Sequence, residues 1–226
     1  NNFVNSNFSI RTNAIFGTNT NTGSLIVWVY PESWANDWRT PGFATDSGWG
    51  RALVLYTCGS DGSFCAGYGN WNGTGSGAVI STGAGGRPPL NQWSCILMRW
   101  TNGGNAKLRI NGTDYTPDAL GQAITDVGLP FEWGYTVESG FATPWDGQMK
   151  ALATYTTDLS DSDADLLCPA SKVYALPSSV VAGPTLQYEV TSSDVVTGAA
   201  NGIVNTGSLS TGATGDADLS LSTNIP

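Results

Sequence analysis

The 226-residue chain contains no histidine. That absence removes the Ser-His-Asp and Cys-His nucleophilic devices. With no C-x-x-C pair either, it removes the usual zinc sites. Glutamate is scarce, occurring only at Glu32, Glu132, Glu138 and Glu189. Glycoside hydrolysis needs two carboxylates at a fixed separation, and these four are scattered, so the chain reads as not an enzyme. Charged residues make up only 12% of the sequence, and acidic ones outnumber basic ones 18 to 9, for a net charge of −9. Nucleic-acid binding requires a basic footprint, so nucleic acid is excluded as a partner, and an anionic membrane surface with it. No apolar run approaches the ~20 residues that span a bilayer, so no membrane insertion is expected. Long helical periodicity is missing. No signal peptide is visible and the chain begins at Asn1, which reads as a processed or trimmed product.

What is present points to strands. There are 29 Gly and 9 Trp, and Ser, Thr and Asn are abundant, a composition suited to a surface-exposed β sandwich. The centre of the pattern is 91–116. Trp93 to Trp100 and Ala106 to Ile110 read as two strands, joined by Thr101-Asn102-Gly103-Gly104-Asn105, whose Asn and Gly residues accept positive φ at little cost. Alternation puts Ile96, Met98, Trp100, Leu108 and Ile110 on one face and Arg99, Lys107 and Arg109 on the other, toward water or a polar groove. This predicts a ribbon with one buried face and a further turn at Asn111-Gly112.

The remaining strands follow in order. Asn7 to Thr12 alternates. Ser24 to Tyr30 is apolar on both faces and reads as central. Arg51 to Thr57 and Phe64 to Tyr68 form a hairpin, and Ala78 to Thr82, Phe131 to Val137 and Gln148 to Tyr155 complete the set. Residues 117–130 hold two prolines and no clear period. Ser160 is placed to cap a helix running through Leu167, with Asp161, Asp163 and Asp165 near its positive end.

Four of these pieces carry a resemblance. The Trp93–Trp100 strand, its glycine turn and the run Ala106-Lys107-Leu108-Arg109-Ile110-Asn111-Gly112 resemble the laminin-G or concanavalin A-like jelly-roll superfamily. Ser24 to Pro31 resembles its early "sh-x-h-W-h-x-P" strand, Trp145 to Leu152 its late "h-x-G-x-I-x-x-h" strand, and Leu159 to Leu167 the short helix that follows. The likeness covers roughly residues 7 to 168. It implies an all-β fold: an antiparallel two-sheet jelly-roll sandwich, concanavalin A-like, with one short helix. That fold hosts lectins, enzymes and structural modules alike, so function must come from the site. Glucanases of this fold carry an E-x-D-x-x-E strand, and its lyases use a His or Tyr base with Arg and Gln. Neither arrangement is found.

The expected ligand-binding residues are aromatic and amide side chains at strand ends and in loops: Trp34, Trp38, Trp49, Tyr68, Asn70, Trp71 and Asn72. Aromatic faces stack on sugar C–H surfaces, and Asn or Asp fixes hydroxyls. The alternative is that these tryptophans cover the sandwich ends and lock long loops such as 32–50. Trp71, inside Asn70-Trp71-Asn72-Gly73, is the one expected to be exposed. Calcium is common in the superfamily and takes six to eight oxygens. Asp37 and Asp46 are the metal candidates, with Asp114, Asp118, Asp126 and Asp146 also in loops, although none sits in a D-x-D-x-D spacing. The cofactor expectation is therefore none, or a structural calcium ion.

Four cysteines allow three pairings. A loop at Ser60 to Ser63 would place Cys58 and Cys65 opposite each other and within disulfide reach, which leaves Cys95 with Cys168 by default. Four buried thiols are the other reading. Three sequons, at Asn7, Asn72 and Asn111, would be glycosylated only on a eukaryotic secretory route.

Residues 1–176 read as the sandwich. Residues 177–226 form a Ser/Thr/Gly-rich stretch that packs on the sandwich or on a neighbouring copy, because Tyr188, Val190 and Ile203 are too apolar for a linker. Leu186 to Val190 reads as a strand, and 201–221 is similar to the segment that commonly precedes the superfamily's first strand. The functional expectation is a non-catalytic recognition and structural module of the extracellular space, cell surface or virion surface: an adhesive or glycan-binding lectin serving as an appendage, decoration or filament subunit. Its partners would be glycans or cell-surface polysaccharide and other copies or subunits. A carbohydrate-binding module of a secreted polysaccharide-degrading enzyme is the alternative.

Overall fold

The computed structural model describes residues 10–13, 21–34, 53–58, 60–69, 77–121, 130–133, 147–175, 177–184, 186–190 and 203–205. Thirteen strands and two short helices are found in it. The largest sheet is antiparallel and eight-stranded. Its middle is β2 (Thr22–Pro31), flanked by β6 (Ser94–Thr101) and β11 (Gly147–Tyr155). Beyond β6 come β7 (Asn105–Ile110) and two short strands on it, β8 (Thr113–Asp114) and β9 (Asp118–Ala119). Beyond β11 come β12 (Leu186–Val190) and β13 (Ile203–Asn205). A three-stranded sheet holds β3 (Leu53–Thr57), β4 (Phe64–Tyr68) and β5 (Ala78–Ser81). A separate pair joins β1 (Ile10–Asn13) to β10 (Pro130–Trp133).

The core lies between the eight- and three-stranded sheets. Leu25, Val27, Val29, Ile96, Met98, Trp100, Leu108 and Ile110 face Leu53, Leu55, Phe64, Ala66, Tyr68 and Ile80. The faces read from alternation are those observed, because a one-residue slip would turn every apolar side chain to the wrong side. At Gly23 a Cβ would overlap the ring of Trp100, its partner across the ladder. The Asn111-Gly112 turn has positive φ at both residues, 49° and 77°, as a two-residue hairpin requires.

One expectation is corrected. The ribbon has two buried faces, not one. Ile26, Trp28, Cys95, Leu97, Ala151, Ala153 and Tyr155 form a second core with Leu159, Ala164, Leu167, Cys168 and Val181. These last residues come from α1 (Asp161–Leu167), α2 (Pro177–Val180) and their flanks. Helix α1 starts where expected: the Ser160 hydroxyl accepts from the Asp163 N–H, and the Asp163 carboxylate accepts from the Ser160 N–H, a reciprocal cap. The four-residue α2 and the short β8 and β9 were not foreseen, being too brief to show a period. The backbone from Leu186 to Glu189 pairs with that from Thr154 to Ala151, and Val190 pairs with Ile203 of β13, all in the same sheet. Residues 206–226, the rest of the expected C-terminal strand region, lie outside the described residues.

Two disulfides are present, Cys58–Cys65 and Cys95–Cys168. The register differs from the one expected. Cys65 stands opposite Tyr56, and the Cys58 N–H donates to Ser63, so the first bridge runs diagonally, with Cα atoms 5.7 Å apart. The second ties the start of β6 to the end of α1.

Candidate functional site

Two segments rich in expected ligand residues join the three-stranded sheet at one end. Leu53, Tyr68 and Ala78 lie side by side across β3, β4 and β5. Residues 35–52 enter the sheet at Leu53, and 70–76 connect β4 to β5 beyond the Tyr68–Ala78 pair. Trp38, Trp49, Asn70, Trp71 and Asn72, and the metal candidates Asp37 and Asp46, belong to those segments and lie outside the described residues.

Beside this end, the two sheets meet at a polar seam. The Val79 N–H of β5 donates to Asp118 Oδ2 at 3.0 Å, and Asp118 Oδ1 accepts from the Ala119 N–H at 2.9 Å. The carboxylate so occupies the edge of β5, which would otherwise offer unpaired backbone groups.

Two expected ligand residues are placed differently. Tyr68 is fully buried, packs on Trp100 and donates its hydroxyl to the Lys107 carbonyl at 2.5 Å. Burial drives its phenol well above the ordinary value of 10.0, so it is a neutral core donor, not a ligand surface. Trp34 is partly buried against the main core, tilted on Phe64 at 5.9 Å, with its indole N–H given to the Pro88 carbonyl at 2.8 Å. It anchors the start of the 35–52 segment. The third sequon is also occupied: Asn111 Oδ1 accepts from the Cys95 N–H at 2.9 Å and its Nδ2 donates to Ser94 Oγ at 3.1 Å. That amide is a structural brace.

On the face foreseen for Arg99, Lys107 and Arg109, the two arginines are buried and Lys107 is partly exposed. Arg99 is 2% exposed and Arg109 6%. Arg99 Nη1 donates to the Leu159 carbonyl and to Asp161 Oδ1, both at 2.8 Å. Arg109 is forked onto Asp114 and reaches Asp165. Lys107 pairs with Asp158 at 3.1 Å. The Arg109 hydrogen bond holds the Asp114 carboxyl below 3.8, and the Arg99 hydrogen bond does the same for Asp161. These pairs clamp α1 and its leading loop to the large sheet. Among the described residues no group of three or more His, Cys, Asp or Glu side chains could hold a metal ion. Asp114 and Asp118 are already committed to Arg109 and to backbone N–H groups.

A feature not foreseen lies at the Pro31 end of the large sheet. Tyr30 and Trp93, both partly exposed, have ring centroids 5.6 Å apart, tilted by 58°. The sequence signal was slight: Trp93 sits one residue ahead of β6 and so reads as part of the strand.

The comparisons agree with this architecture. The family model described as the concanavalin A-like lectin/glucanases superfamily matches residues 4–164. No curated protein sequence matches the chain. Among solved structures, domain 4 of AbnA, an extracellular arabinanase from Geobacillus stearothermophilus solved with arabinotriose, is 19% identical with a TM-score of 0.53; 74% of this chain and 72% of that one are covered. The CBM40 module of a Ruminococcus gnavus IT-sialidase, bound to α2,3 sialyllactose, is 12% identical at TM-score 0.53, with 74% and 94% covered. A leech intramolecular trans-sialidase is 14% identical at TM-score 0.53, with 70% of this chain but 24% of the enzyme covered.

Proposed function

We propose a glycan-recognition role from one premise: the chain belongs to the concanavalin A-like lectin/glucanase superfamily, matching its model over residues 4–164. The observation that carries the reading is the strand register. Leu53, Tyr68 and Ala78, near which the segments bearing Trp38, Trp49 and Asn70-Trp71-Asn72 join the three-stranded sheet, stand side by side. Aromatic rings and amides in segments that join one end of a sheet suit the C–H faces and hydroxyls of a sugar. Solved relatives of the fold include carbohydrate-binding domains carrying arabinotriose or sialyllactose, which favours the same ligand class here.

The module is non-catalytic. The chain has no histidine, and among the described residues the carboxylates Asp114, Asp158 and Asp161 are committed to arginine or lysine partners, which supports this reading. It works outside the reducing cytosol, a reading supported by the two disulfides. Whether it serves as a virion or cell-surface subunit or as the binding module of a secreted enzyme divides on assembly. A subunit runs as an oligomer and a module as a monomer, which sedimentation decides.

The test of glycan recognition is calorimetry of the whole chain against an oligosaccharide panel. Trp71→Ala should weaken binding by about tenfold or more, as loss of a central aromatic anchor does, while Tyr68→Phe should change melting but not affinity. Absence of binding across the panel at millimolar concentration would refute the reading.

A further inference from the structure

We propose that the rim formed by Tyr30, Gln92, Trp93 and Lys172 is a second glycan contact, built for a sugar that carries a carboxylate. The proposal rests on the glycan reading above and adds both a place and a ligand chemistry.

The rim is held together by specific bonds. The Asn91 N–H donates to the Pro31 carbonyl at 2.8 Å, which sets the segment before β6 against the end of β2. The Tyr30 and Trp93 rings meet there, Trp93 rests on the outer core, and both residues are partly exposed. Two such rings at an angle offer a sugar one face and one edge. Leu90 and Val173 on the flanking segments are exposed, at 42% and 66%, so the surface is apolar and polar by turns.

Lys172 supplies the charge. Arg99, Lys107 and Arg109 each pair with aspartate. The Lys172 ammonium instead donates to an amide oxygen, Gln92 Oε1, at 3.3 Å. An amide orients an ammonium without offsetting its charge, and among the described residues no carboxylate pairs with Lys172; its amide partner, Gln92, is the residue before Trp93. The lysine backbone is also constrained. Lys172 has φ 55° and Asn91 φ 56°, two of the three non-glycine residues with positive φ among those described. Left-handed conformations cost free energy outside glycine and concentrate at functional surfaces. For lysine no side-chain-to-backbone bond offsets that cost here; what holds it is the N–H to the Pro169 carbonyl at 3.1 Å. The combination of stacking rings, an amide and an uncompensated, pre-positioned ammonium fits a uronic or sialic type of sugar, whose ring stacks while its carboxylate meets Lys172.

The experiment titrates the whole chain with trigalacturonate and sialyllactose, each beside its methyl ester, which removes the charge and keeps the shape. Lys172→Gln is an exposed substitution and leaves folding intact. It should weaken the free acids about tenfold, the scale of a charge-assisted hydrogen bond, and leave the esters within about twofold. The free acids should also lose affinity with added salt. Equal affinity of acids and esters, or of the wild type and Lys172→Gln for the acids, would overturn the rim. If Trp71→Ala still weakened sugar binding in that case, the glycan reading would survive without it. Binding of no sugar, charged or neutral, would overturn both.

Discussion

Arg99 on β6 and Asp161 in the first turn of α1 meet at 2.8 Å, with the arginine 2% exposed and the aspartate 81%. The pair is lopsided, and the two ends should not cost the same to remove.

Arg99→Ala should destabilise the fold by ~2–4 kcal/mol, because it opens space under α1 and strips the Leu159 carbonyl of its donor. Asp161→Asn should cost under ~1 kcal/mol, since water replaces an exposed partner. Urea unfolding of the two variants measures the difference; equal losses would contradict the clamp.

The same clamp sets an acid limit. Asp114 and Asp161 titrate below the ordinary 3.8 because arginine hydrogen bonds favour their ionised forms. A carboxyl depressed in the folded state contributes stability that is present above the unfolded value and is lost as pH falls through the folded one. The melting temperature should therefore hold from pH 8 to 5 and drop below about pH 4. The drop should be shallower in the Arg109→Ala variant, whose Asp114 has lost its largest depressing contact. Added salt should reduce the Asp161 share, which is exposed.

The two disulfides should contribute unequally. Chain-entropy reasoning assigns ~4 kcal/mol to a bridge spanning 73 residues and ~2.5 kcal/mol to one spanning 7. Cys95→Ala with Cys168→Ala should lower the melting temperature more than the Cys58/Cys65 double variant, read by calorimetry without reductant.

Gly23→Ala should cost ~1–3 kcal/mol through forced displacement of Trp100. Urea unfolding of the variant beside the parent chain measures the loss.

Some of this was legible before any coordinates. Period-2 alternation assigned the faces of Ile96, Met98 and Trp100 because burial fixes register, and Ser160 announced α1 because capping chemistry is local. The second core was hidden. Leu97 and Cys95 could be read as strand residues, but nothing nearby in sequence says that Leu159, Leu167 and Val181 will cover them. Tyr68 misled for a related reason: it closes a strand in a glycine-rich stretch, and only the approach of β7 turns its hydroxyl inward. Lys172 gave no signal, since left-handed backbone at a lysine is a tertiary outcome.

The pairing of β12 with β11 has a consequence for biogenesis. Strand β11 lies inside the finished sheet, yet the strand that covers its far side is translated more than thirty residues later. A nascent chain arrested between Tyr155 and Leu186 would present the backbone of Ala151–Thr154 as an open template, in a chain already able to form its β2–β6–β7 ribbon. Production of this protein is thus exposed to a window of strand-capture error during synthesis, and chains released in that interval should yield aggregates.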